Sequence, residues 1–84
     1  MNNAIPATMK TTEAAQTLTL HLQFINAETD SGKAPDEQIT LAVIDNLGKL
    51  GDKTAFDHLL FVSYLPYSAT IKAAARDALK KLRL

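Results

Sequence analysis

The segment ITLAVIDNLGKL at 39–50 lies over IKAAARDALKKL at 71–82 without a gap, 32 positions further on. Ile39 matches Ile71, Leu41 matches Ala73, Ala42 matches Ala74 and Asp45 matches Asp77; Leu47, Lys49 and Leu50 match Leu79, Lys81 and Leu82. Self-similarity at this period marks a helical repeat. It constrains the fold more than any other feature. A helix–turn–helix unit of that length cannot bury its apolar face alone and has to stack on a neighbour.

Each copy carries helical periodicity. In the second, Ile71, Ala74, Ala75, Ala78, Leu79 and Leu82 fall on one face, with Lys72, Arg76, Asp77, Lys80 and Lys81 around the rest. A helix is expected over 68–83, with Ser68 as N-cap. In the first, Ile39, Val43, Leu47 and Leu50 form a stripe with Ala42 beside it, widened by Leu41, Ile44 and Gly48. This predicts a helix over 35–50, with Pro35 at its first position, Asp36 and Glu37 in its first turn, and Gly51 as a left-handed stop.

Between the copies, 53–65 reads KTAFDHLLFVSYL. Asp52 is the natural N-cap and Thr54 the alternative. Phe56, Leu59, Leu60 and Ser63 share a face, and Phe61, Val62, Tyr64 and Leu65 make the segment apolar nearly all round. Such a helix lies buried between neighbours. Pro66 ends it.

The hardest stretch is TLTLHLQFI at 17–25, which alternates like a half-buried strand. As a helix over 12–28, the same residues place Ala14, Ala15, Leu18, Leu22 and Ile25 on one stripe and Leu20, Phe24 and Ala27 on a second. A strand needs a partner for its backbone groups, and the chain offers no second candidate. Helix is therefore expected, capped by Thr11 or Thr12. Residues 29–34 read as a polar loop and 1–11 as a flexible N-terminal arm, which leaves 12–84 as the helical domain.

The segment LAVIDNLGKLGDKTAFDHLL at 41–60 resembles the HEAT repeat family, in its short HEAT-like form. A helix closes on Leu47-Gly48-x-Leu50-Gly51-Asp52, a short step follows, and a second apolar helix begins; Ile71-Lys72 then looks like the aliphatic–basic pair of the next repeat. The resemblance covers 35–82. It implies an all-α fold of about four antiparallel helices in a right-handed α-solenoid stack. Helices 35–50 and 68–83 would be outer, and 12–28 and 53–65 would line the inner wall. The function it implies is a protein–protein interaction or assembly scaffold, here a fragment or C-terminal domain of a longer protein. Two repeats leave sticky ends, so a homodimer through those ends is expected.

Composition removes several function classes. The chain has 84 residues, with nine basic and nine acidic residues that cancel. That argues against a general nucleic-acid binder. Charge is nonetheless uneven. Residues 1–67 hold four Lys against eight acids, and 68–84 hold five cations against Asp77. The cations Lys72, Arg76, Lys80, Lys81 and Arg83 keep a nucleic-acid-binding module as the alternative; cations favouring a helix C-terminus are the plainer account. Without cysteine, disulfides and thiolate metal sites are excluded. No apolar run is long enough to span a bilayer, and the N-terminus lacks the pattern of a signal peptide.

No catalytic constellation emerges, so no enzyme activity, cofactor or metal is expected. His21 and His58 lack local ligand partners. Asp57 and His58 are sequence neighbours about 100° apart on a helix, so Asp57 cannot orient His58 toward Ser63 as a hydrolase requires. Gly48 and Gly51 form no phosphate loop and read as helix-ending glycines. Phe61, Tyr64 and Tyr67, with His58, are the candidate protein-interaction residues, because exposed aromatics mark interfaces. The competing reading packs these aromatics against the first helix.

Overall fold

The computed structural model describes the backbone of residues 7–84 and the side chains from Thr11 onward. Among the described residues every regular element is helical. α1 spans Ala7–Asp30, α2 Glu37–Leu50, α3 Phe56–Val62 and α4 Ala69–Lys81. A 3₁₀ turn at Lys53–Ala55 leads into α3. The stretch 17–25 is helix, inside α1. A helix satisfies its own backbone groups, whereas a lone strand cannot.

Several boundaries differ from expectation. α1 starts at Ala7, so neither Thr11 nor Thr12 caps it, and residues 7–11 are helical rather than part of an arm. The rest of that arm, 1–6, lies outside the described residues. α2 begins at Glu37 because Asp36 takes the N-cap, its Oδ1 accepting from the Ile39 N–H at 3.0 Å. Pro35 therefore precedes the cap. A side-chain acceptor fills the vacancy at a helix start, whereas proline merely tolerates it. α3 stops at Val62 instead of 65, as the N–H groups of Ser63, Tyr64 and Leu65 turn back three residues to Leu60, Phe61 and Val62. Asp52, Ser68 and Gly51 occupy the expected caps, Gly51 at φ 68°.

The core draws on all four helices. Leu22 of α1, Val43, Ile44 and Leu47 of α2, Leu59 and Val62 of α3, and Ile71, Ala75 and Ala78 of α4 are buried together, with Leu65, Tyr67 and Leu82 closing the ends. Two faces differ from their expected stripes. α1 buries Ala15, Thr19, Leu22, Asn26 and Thr29, while Leu20 and Phe24 are exposed. In the third segment the buried row is Ala55, Leu59 and Val62; Leu60 and Ser63 are exposed. Each face is selected by where the neighbouring helices lie, and three of the five positions on α1 are polar.

Helices two apart in the chain lie side by side and in register. At the start of α4, the Ser68 hydroxyl donates to Glu37 Oε1 at 3.0 Å, across 31 residues. At its end, Arg83 Nη2 donates to the Leu50 carbonyl at 3.2 Å, across 33 residues, and the Arg83 N–H to the Gly51 carbonyl at 2.8 Å. Start meets start and end meets end, so α2 and α4 run the same way. In the last turn of each helix, Gly48 faces Ala78 so closely that a Cβ on it would lie 3.0 Å from the Ala78 Cα. Gly48 is thus a packing glycine inside α2, not a helix end. Between α1 and α3, Asn26 Nδ2 donates to the His58 carbonyl at 3.1 Å, across 32 residues.

Candidate interaction surfaces

The four residues singled out for interaction separate in the structure. Phe61 and Tyr64 are exposed, at 43% and 73%. They stand at the end of α3 and in its exit turn, with exposed Leu60 next to them. Tyr67 does not join them. It is buried, and its hydroxyl donates to Asn26 Oδ1 at 2.6 Å. The reason is Pro66: the chain turns there, with the Tyr67 N–H closing on the Leu65 carbonyl at 2.8 Å, and the next side chain enters the core. His58 is half-buried, and its ring lines a depression shared with Gln16, Thr19, Leu20, Gln23 and Thr54.

Asn26 is the hub of a buried polar clamp that the sequence does not announce. Its amide nitrogen holds the α3 backbone at His58, and its oxygen holds Tyr67. One side chain so ties α1 to α3 and to the α3–α4 link. A buried amide satisfied on both ends fixes a unique arrangement. Burial pushes the Tyr67 phenol above its ordinary 10.0, against the lowering effect of the Thr29 hydroxyl beside it.

A second surface lies between α1 and α2. His21, Phe24, Ile25, Glu28, Thr29, Ile39 and Thr40 line a shallow groove of about 190 Å³, closed at one end by the 33–36 loop. Phe24 is 60% exposed and Ile39 50%. Lys33 pairs with Glu28 at 3.1 Å on its rim. The helical period puts Ile39 on one stripe with Val43, Leu47 and Leu50. Its repeat partner Ile71 is buried in the shared core, at 1% exposure. Nothing among the described residues covers Ile39 in that way.

The basic residues of the last segment divide in two. Arg83 reaches back to the Leu50 carbonyl, at the negative end of the α2 dipole, and the Lys81 side chain lies next to Gly48. Lys72, Arg76 and Lys80 instead follow one another at i, i+4 and i+8 along the opposite edge of α4. Lys72 and Arg76 line a groove there with Leu59, Leu60, Ser63, Ala75 and Leu79.

His21 and His58 open onto different depressions, so they are not brought together. Among the described residues no three His, Asp or Glu side chains gather where an ion would sit. No helix of the described residues is long and apolar enough to cross a membrane. Comparison of the chain with protein-family models, with curated proteins and with solved structures yields no match.

Proposed function

We propose that this chain is a non-catalytic protein-interaction or assembly module, built as a short right-handed HEAT-like stack in which successive helices run antiparallel. The observation that carries it is the in-register pairing of α2 with α4 at separations of 31 and 33 residues, on either side of the 32 positions at which the sequence repeats. α1 with α3 obeys it too, at 32. A compact bundle has no need to match a sequence period in space. In this reading α2 and α4 form the outer layer, and α1 and α3 the inner one.

The apolar residues left outside supply the functional half of the reading. Leu20 and Phe24 on α1, Leu60 and Phe61 on α3, and Tyr64 just beyond it all project from the inner layer. Exposed large apolar side chains on α1 and α3 are the groups another protein would cover.

Solution mass against concentration, by sedimentation, tests this on the intact chain and on the paired variant Phe61→Ser/Tyr64→Ser. Association that the variant removes supports assembly through the α3 face. A chain that stays monomeric, and that shows no saturable partner in cross-linking from its α1 and α3 surfaces, overturns the scaffold reading.

A further inference from the structure

Of the five cations in residues 68–84, two are drawn toward α2. Arg83 donates to the Leu50 carbonyl, and the Lys81 side chain lies next to Gly48. Lys72, Arg76 and Lys80 are not. They stand one helical turn apart along α4, and among the described residues no side chain pairs with them or hydrogen-bonds to them. Asp77, the one acid of α4, points about 100° away from Arg76 around the helix.

These cations do not border an open polar face. Lys72 and Arg76 line a groove of about 320 Å³ between α3 and α4. Apart from Ser63, whose hydroxyl donates to the Leu60 carbonyl, the rest of the lining is aliphatic: Leu60 is 37% exposed, Leu79 is half-buried and Ala75 is buried. No carboxylate lines it. Lys72 is half-buried, as a lysine is when its stem covers apolar surface and its ammonium stays in water.

A groove of this make-up selects its occupant by charge. Four residues of helix rise about 6 Å. A second helix with carboxylates at i, i+4 and i+8 therefore meets Lys72, Arg76 and Lys80 one for one. Leucines three positions after each carboxylate lie beside that row and face Leu60 and Leu79. Nucleic acid is a poorer match, because the lining offers no aromatic ring for a base to stack on and the charges of the chain cancel. A second copy is poorer still. None of the nine acidic residues lies three or four positions from another, so no helix of this chain presents such a row.

Resting on the reading of the chain as a protein-interaction module, we infer that the α3–α4 groove docks an acidic amphipathic α-helix of a different protein, with its carboxylates on Lys72, Arg76 and Lys80 and its leucines on Leu60 and Leu79. The surface is distinct from the aromatic one formed by Phe61 and Tyr64, neither of which lines the groove. Unpaired cations beside apolar surface give the complementarity its two parts: the charge row sets the register of the partner, and the leucines supply the area to be covered.

The probe is a helix-stapled, fluorescein-labelled peptide of three Glu-Gln-Ala-Leu repeats, titrated into the intact chain and read by anisotropy. Saturable binding that weakens as salt rises is expected. Lys72→Glu/Arg76→Glu in the chain should weaken it at least about tenfold. A peptide with lysine at each glutamate position should bind that variant and not the intact chain, which also shows that the variant is folded. Leu60→Ser should weaken the glutamate peptide too. Lys53→Glu, a cation outside the groove, and Phe61→Ser/Tyr64→Ser should leave its binding unchanged. Absence of saturable binding, indifference to Lys72→Glu/Arg76→Glu, or loss of binding in Phe61→Ser/Tyr64→Ser overturns the inference. So does a single-stranded oligonucleotide that displaces the peptide and binds the Leu60→Ser chain as tightly as the intact one, because the groove is then a site for polyanions in general. A dimer by light scattering that Lys72→Glu/Arg76→Glu dissociates also overturns it, since the groove then holds a second copy. If the peptide does not bind but the association removed by Phe61→Ser/Tyr64→Ser is present, only the groove falls. If both are absent, the interaction module falls with it.

Discussion

At the scale of single residues, the polar positions of α1 make the sharpest predictions. Thr19 is buried, and its hydroxyl has no hydrogen-bond partner. Valine has the same shape without the group that lost its water. Thr19→Val should therefore stabilise the fold by about 1 kcal/mol, which for a chain of this size raises the melting temperature by roughly 5 °C. Tyr67→Phe acts in the other direction. It keeps the ring but strips Asn26 Oδ1 of its donor, at a cost of about 1–3 kcal/mol in urea unfolding.

The same phenol sets a pH dependence. Its folded-state pKa is raised, so ionisation is easier in the unfolded chain. Its contribution is complete below the unfolded value near 10 and is lost as pH rises past it toward the folded value. Between pH 9 and 11 the intact chain should lose more stability than Tyr67→Phe, in melts compared pairwise. The sequence allows Tyr67 to pack against the first helix but does not name its partner there. Asn26, Thr19 and Thr29 read as ordinary polar positions on a helix, and the Asn26–Tyr67 contact spans 41 residues.

At the scale of elements, local chemistry and packing answer different questions. The caps at Asp52, Ser68 and Gly51 follow from side chains that act on backbone groups within a few residues, so reading the sequence finds them. Gly48 shows the limit. By propensity alone, Gly48→Ala should favour α2 by about 1 kcal/mol. Its new Cβ would instead press on the α4 backbone at Ala78, 3.0 Å away, and a helix axis cannot yield as a side-chain tip can. The variant should be destabilised by about 1–3 kcal/mol in chemical denaturation, the usual range for overpacking.

The buried faces follow the same division. On α4 the apolar stripe is the buried stripe, because one apolar set stands clear among cations. On α1 two apolar stripes compete; the one through Ala15, Leu18, Leu22 and Ile25 packs on the core, but rotated so that polar Thr19, Asn26 and Thr29 are buried with it. In the third segment the nearly uniform apolarity leaves the choice of face to the neighbours, which is why Val62 is inside and Leu60 outside.

At the scale of the whole molecule, the four helices share one core, and α4 packs against α2. Removing residues 67–84 would strip Val43, Ile44 and Leu47 of their cover along with Tyr67 from the clamp. Such a truncated chain should show no cooperative thermal transition by circular dichroism, whereas the intact chain should melt in a single step, as small domains with one core do. The candidate surfaces belong to this scale too. Phe61 and Tyr64 were legible as aromatics on an apolar helix. The α1–α2 groove was not, because Phe24 and Ile39 become neighbours only when two helices meet.

By itself the sequence determined the helical class, the number of helices, most of their caps and the 32-residue period. These depend on backbone groups, side-chain caps and periodicities that act over a few residues, or on direct comparison of one segment with another. Only the tertiary structure decided which of several apolar rows is buried, that Tyr67 belongs to the core, and that Phe24 and Ile39 meet in an open groove between α1 and α2. Burial depends on what stands opposite a side chain, and residues some 30 or 40 positions apart come to stand opposite one another only through the packing of the whole chain.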